Sequence, residues 1–276
     1  MHLSLLPVGA AVLLAAAAPL PAHAQSKQQT DWCVDDGNTV APDLKINGCT
    51  AVIQSGHWSG KRLAWAFNNR GNGYRAKGNI DLAILDYNQA LQLDPQYAIA
   101  YNSRGNAYHD KGDNDLAIAD YNQALRLDPS LIAAYNGRAD AYAAKGNYAF
   151  AVADYTTSIK LDPSADNFDG RCWMRALIGQ DLQGALADCN EALRLRANDA
   201  NVLNSRGLVE LKLGQFDQAI ADYGAAVAQN PNDAASLYGR GVAKLRRGDR
   251  TGRADIAAAK KIKVDIAEVF AGYGIK

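Results

Sequence analysis

Residues 98–131 read AIAYNSRGNAYHDKGDNDLAIADYNQALRLDPSL, and the 34 residues before them, 64–97, read AWAFNNRGNGYRAKGNIDLAILDYNQALQLDPQY. Laid over one another they pair Phe67 with Tyr101, Gly71 with Gly105, Tyr74 with Tyr108, Ala83 with Ala117, Tyr87 with Tyr121, Ala90 with Ala124 and Pro95 with Pro129. Self-similarity at a fixed period marks a repeat array. With Ala64 as place one, apolar and small residues fall at places 4, 8 and 11 and again at 20, 24 and 27. That is i, i+4, i+7 spacing twice over, which predicts two amphipathic helices per unit. Gly78, Gly112, Gly146, Gly179, Gly214 and Gly248 punctuate between the helices, and Asp94-Pro95, Asp128-Pro129 and Asp162-Pro163 end the second helix of the earlier units.

The period continues through Tyr135, Tyr142, Ala151, Tyr155 and Pro163, then through Gly207, Ala219, Tyr223, Ala226 and Pro231. Six units result, 64–97, 98–131, 132–164, 165–199, 200–233 and 234–263; the third is one residue short and the fourth regains the register with an extra residue after Gly179. The last unit departs from the pattern, with Thr251-Gly252-Arg253 where the others open their second helix, and residues 264–276 read as a capping helix.

Working outward, the chain has 276 residues with 29 Lys+Arg against 29 Asp+Glu, so no charge excess holds a nucleic acid by counterion release. Hydrophobic residues at 48% are ample for a core. Residues 1–24 contain no Asp, Glu, Lys or Arg; an apolar run from Leu3 to Leu20 leads to Ala22-His23-Ala24, which reads as a signal peptide cleaved before Gln25. The expectation is an exported chain, periplasmic or extracellular, with no membrane insertion after cleavage. No later stretch reaches the ~18 apolar residues of a membrane span.

The pattern Tyr-x-x-Arg-Gly-x-x-Tyr, then Gly, then Ala-Ile-x-Asp-Tyr-x-x-Ala-Leu-x-Leu-Asp-Pro resembles the tetratricopeptide repeat across residues 64–263. The resemblance implies an all-α, right-handed superhelical solenoid of about six helical hairpins. It also implies that the first helices line a concave groove that binds extended peptides or partner segments.

The register bears on the cysteines. Cys172 stands at place 8 and Cys189 at place 24, which are equidistant from the hairpin turn and lie side by side. Cys33 and Cys49 repeat the interval, and Asp43-Leu44-Lys45-Ile46 follows Asp81-Leu82-Ala83-Ile84. The expectation is two bridges, Cys33–Cys49 and Cys172–Cys189, the first stapling a degenerate half-repeat within a capping element at 25–63. Four cysteines allow three pairings, of which register supports this one, and free packed thiols are the alternative. A zinc site has little support, because the spacing is not CxxC and His57 and His109 are not placed around the cysteines.

Two ladders run through the units. Arg70, Arg104, Arg138, Arg171, Arg206 and Arg240 occupy place 7, and Asp86, Asp120, Asp154, Asp188 and Asp222 occupy place 23. Matched charges at constant offset favour structural ion pairs over a bound polyanion. Asn68, Asn102, Asn136 and Asn204 hold place 5, with Asp169 in the fourth unit. In the repeat family this place faces the groove, where an amide offers a donor and an acceptor to an extended peptide; solvated asparagines carried along by duplication are the alternative. Places 9 and 12 run from Asn72, Arg75, Asn106 and His109 to Trp173, Leu208, Leu211 and Val242. The groove is thus expected to pass from polar to apolar, with Trp173 and Tyr238 as anchors, unless the closing helix packs over its end. The expected partner-binding residues are Asn68, Asn72, Arg75, Asn102, Asn106, His109, Asn136, Asp169, Trp173, Asn204 and Leu208.

No catalytic motif stands out: Ser59-Gly60-Lys61-Arg62 lacks phosphate-loop spacing, and Gly56-His57-Trp58-Ser59-Gly60 is not a nucleophile elbow. The reading is a non-catalytic adaptor or scaffold of the cell envelope that takes a protein or peptide segment and needs no cofactor or metal. A self-associating structural component and an accessory subunit of a cell-wall enzyme are the alternatives, and a homo-oligomer stays open.

Overall fold

Regular punctuation cuts the chain into helices mostly 13 or 14 residues long, and the computed structural model describes them over residues 22–35 and 39–275. A hairpin of α1 (Ala22–Val34) and α2 (Pro42–Gln54) leads through a short 3-10 turn, Gly60–Leu63, into six more hairpins. These are α3 (Ala64–Ala76) with α4 (Ile80–Leu93), α5 (Ala98–Asp110) with α6 (Asn114–Leu127), and α7 (Ile132–Ala144) with α8 (Tyr148–Leu161). Then come α9 (Ala165–Ile178) with α10 (Leu182–Leu195), α11 (Ala200–Leu213) with α12 (Phe216–Gln229), and α13 (Ala234–Arg246) with α14 (Gly252–Ile262). A last helix, α15 (Ile266–Gly272), follows. No strand occurs among the described residues. The expected signal peptide lies outside the described residues up to residue 21.

Each of the six hairpins from α3 to α14 turns at a glycine in the left-handed region, as at Gly78 with φ of 76°, where a Cβ would be strained. Between the two helices lies the tyrosine of place 24. Tyr87, Tyr121 and Tyr223 are fully buried. A Cβ added at Gly105 would lie 2.8 Å from the Tyr121 ring, and one at Gly137 on the next hairpin would lie 2.6 Å from it. The ring therefore fills a slot whose two walls must both be small. Gly207 and Gly239 flank Tyr223 in the same way.

Above this slot sits the arginine ladder. Arg70, Arg104, Arg138, Arg171 and Arg206 each make two bonds, of 2.6–2.9 Å, to the carboxylate at place 23 of their own hairpin. Arg240 pairs likewise with Asp255, which takes that role in the divergent last hairpin. The remaining guanidinium nitrogen reaches back to the preceding hairpin: Arg104 donates to Asn88 at 2.6 Å and Arg206 to Asn190 at 2.8 Å. One side chain thus ties a hairpin both to itself and to its neighbour. On the surface Lys111–Asp81 and Arg247–Asp217 add exposed pairs between successive hairpins, of little individual weight.

Both disulfides form as the register implies. Cys33–Cys49 and Cys172–Cys189 bring their Cα atoms to 4.6 and 5.5 Å. The N-terminal bridge joins two full helices, and Arg70 donates to Thr50 of α2 as its counterparts do to Asn88 and Asn190. The first hairpin is therefore docked in the manner of a repeat.

Successive first helices also pack on one another, α3 on α5 on α7 and α9 on α11 on α13, whereas successive second helices are held apart by them. First helices accordingly line the inner face of the curve. Between α7 and α9 the backbones lie farther apart, and Asn136 bridges the step by donating to Asn167 at 2.8 Å.

Replacing Arg138 by alanine leaves Asp154, which is 5% exposed, as an uncompensated charge. Urea unfolding should show a loss of about 2–4 kcal/mol, against less than about 0.5 kcal/mol for a surface control such as Lys145→Ala.

Candidate functional site

On the inner face the side chains of places 5, 9 and 12 meet two recesses. The first, of about 620 Å³, lies between α2, α3 and α5 and is lined by Lys45, Asn72, Arg75, Asn106 and Asp110 among others. The second, of about 530 Å³, lies along α7, α9 and α11 and includes Asp140, Asp169, Trp173, Asn204 and Asp233. No basic side chain lines the second recess. The inner face thus changes from mixed charge to acidic along its length.

Hydrogen bonding decides which of these groups are still available to a ligand. The tyrosine of place 24 reaches the inner face with its hydroxyl, so Tyr87 donates to Asn72 at 2.8 Å, Tyr121 to Asn106 at 2.7 Å and Tyr155 to Asp140 at 2.6 Å. This bond was not foreseen, although its signal is a constant offset of 15 residues. Asn72 and Asn106 therefore spend a carbonyl oxygen and keep their amide hydrogens toward the recess. In the fifth repeat Leu208 stands where the asparagine would be, and the Tyr223 hydroxyl finds no hydrogen-bond partner.

The place-5 asparagines divide. Asn136 donates to Asn167 at 2.8 Å and accepts from Ser158 at 2.6 Å, and Asn204 donates to Ser236 at 2.7 Å, so both are engaged between helices. Asn68 and Asn102 are buried, at 1% and 9% exposure, yet their side-chain oxygens accept nothing. Asn68 also lines a smaller recess of about 430 Å³ that shares Lys45 and Asn72 with the first. Arg75 is paired with Asp110 at 2.6 Å, and the His109 ring meets Asn114 at 2.7 Å.

Two expectations change. Leu208 is 1% exposed and belongs to the core of the later hairpins, because the inner helices close around it; it presents nothing to a groove ligand. Trp173 is partly buried, with the ring of Tyr273 standing edge-on at 5.3 Å. The closing segment reaches further back than Val242 and Leu245.

Burial raises three carboxylates on or beneath this face, Asp140 among them against the bond from Tyr155. Asp169 is lifted to about 6, chiefly by burial and further by Asp199, against the opposing Ser205 hydroxyl, and its Oδ1 is without a partner. Glu210, 5% exposed beneath the inner surface, is pushed well above the ordinary carboxylate range by burial and by the charge of Asp222, with Arg206 opposing.

The sequence matches the family description "TPR repeat" at residues 71–112, 105–146 and 207–248, and "Tetratricopeptide repeat" at 132–165. The chain belongs to the tetratricopeptide repeat family. Among solved repeat proteins of this kind, one from Parabacteroides merdae is 19% identical with a TM-score of 0.66, over 91% of this chain and 98% of that one. PilW, described as a type IV pilus biogenesis factor, is 16% identical with a TM-score of 0.67, over 76% and 99%. YrrB, described as a TPR protein with an unusual peptide-binding site, is 24% identical with a TM-score of 0.53, over 67% and 97%. At these identities the likeness is one of fold. No curated protein matches the sequence.

Asp169 has a folded-state pKa above its unfolded value, so its contribution to stability is complete below the ordinary carboxylate value and is lost as pH rises through about 6. Asp169→Asn should therefore gain stability relative to the parent between pH 4 and 7 in urea titrations. A stability difference constant over that range would show that the carboxylate ionises normally.

Proposed function

We propose that this repeat protein is a non-catalytic adaptor that holds an extended segment of a partner protein along its inner face. The observation that carries the reading is the pair of amides on Asn72 and Asn106, one repeat apart on the first helices, which line the first recess with their oxygens already held by Tyr87 and Tyr121. Their amide hydrogens are left to donate to the backbone carbonyls of an extended segment. Farther along, Asp140, Asp169 and Asp233 favour a Lys or Arg side chain in the second recess.

The leader-like residues 1–24 and the two disulfides support a place in the cell envelope, since such bridges persist in oxidising compartments. Among the described residues no helix is long and apolar enough to cross a membrane.

One observation favours a second reading, self-association as a structural component. Leu44, Leu82, Leu116 and Phe150 project from the same place on four successive second helices and are 40–60% exposed. They form an apolar ridge on the outer face.

Crosslinked capture from envelope extract distinguishes the two readings. Asn106→Ala combined with Asp169→Asn should reduce recovery of the partner at least tenfold, while Leu82→Glu combined with Leu116→Glu leaves it unchanged. The reverse result, with only self-capture and sensitivity to the ridge, would replace the adaptor with the structural role.

A further inference from the structure

A helix that merely caps a solenoid needs to cover the outer side of the last hairpin. α15 does something else. It follows an exposed link, Lys263–Asp265, in which Val264 is 87% exposed, and then folds inward. Phe270 packs on Tyr238 of α13 at 4.8 Å between ring centroids, and Tyr273 stands against Trp173 of α9 at 5.3 Å. Tyr238 and Trp173 hold places 5 and 9, the places that bear the asparagines in the first two repeats. The Tyr273–Trp173 contact carries the segment from the sixth repeat back to the fourth.

The contacts are of one kind. Ile266 and Phe270 are each 2% exposed and Ile275 is 5% exposed. No side chain of residues 266–275 makes a hydrogen bond or ion pair among the described residues, and the helix has no side-chain cap. Seven residues are too few to be helical unaided. α15 is therefore shaped by the surface it lies on, as a docked peptide is.

We propose that the apolar end of the inner face, floored by Trp173 and Tyr238, is a docking site for a short helix carrying two aromatic side chains three residues apart, and that α15 is its resting occupant. A partner segment with the spacing of Ile266, Phe270 and Tyr273 takes the site by displacing α15. This deepens the adaptor reading and rests on it: the polar end receives extended backbone, and the apolar end admits only a segment able to compete with α15.

The probe is a fluorescent peptide with the sequence of residues 263–275, titrated into the full chain with disulfides intact. Phe270→Ala combined with Tyr273→Ala should bind it at least tenfold more tightly than the parent, and adding Trp173→Ala should abolish the gain. Equal binding to parent and folded variant, or none to the variant, overturns the proposal. Hydrogen exchange on the parent gives a readout that needs no variant. Amides of α15 should exchange at least tenfold faster than those of α13, and exchange of both only through common unfolding overturns it as well. Partner capture that depends on Asn106 but survives loss of peptide docking would leave the adaptor reading standing and remove only this inference.

Discussion

The structure depends on one steric fit, a buried tyrosine ring wedged between two backbones that cannot carry side chains where they meet it. Tyr121 between Gly105 and Gly137 is the clearest instance. The ring sets the distance between the two helices of a hairpin and the approach of the next hairpin at once. Since the same ring touches both, intra-hairpin and inter-hairpin geometry cannot vary separately. The arginine ladder then fixes orientation, because a bidentate guanidinium has one preferred plane and its third nitrogen finds the previous hairpin only in that plane. Curvature follows from both, and curvature is what gives the first helices a common inner face.

The tyrosine also links scaffold to recognition. Its buried hydroxyl reaches up beneath the inner face and holds the carbonyl of Asn72 or Asn106, orienting an amide that would otherwise rotate. The groove polar groups are thus preorganised by the same residue that spaces the helices. Along the chain this arrangement decays: Asp140 replaces the asparagine, then Trp173, then Leu208, and the inner face ends apolar and covered. A gradient of side chains at one place converts a uniform scaffold into a groove with two unlike ends.

Much of this was legible in the sequence because repetition makes register readable. The hairpins, the glycine turns, both cysteine pairs and the arginine–aspartate ladder all follow from counting places, since each involves residues within one or two units. Asp255 escaped the count because the last hairpin breaks register at Gly252. Long-range closure was less legible. The period states that Leu208 and Trp173 share a helix face, but whether that face is open depends on how far α15 folds back, which no local spacing encodes. The division among the asparagines was hidden for a related reason. Asn136 is engaged by Asn167 and Ser158, which stand on other helices and vary from unit to unit.

Where Cys33–Cys49 and Cys172–Cys189 replace the small residue and the tyrosine, a covalent bond stands in for the wedge. Under tension along the chain, an ordinary hairpin pays out its whole contour once its ring is pulled free. A bridged hairpin holds back the 16 or 17 residues closed by its sulfurs. One bridge lies in the first hairpin and the other in the middle of the array. Stretched from its ends, the solenoid is a spring with two inextensible links.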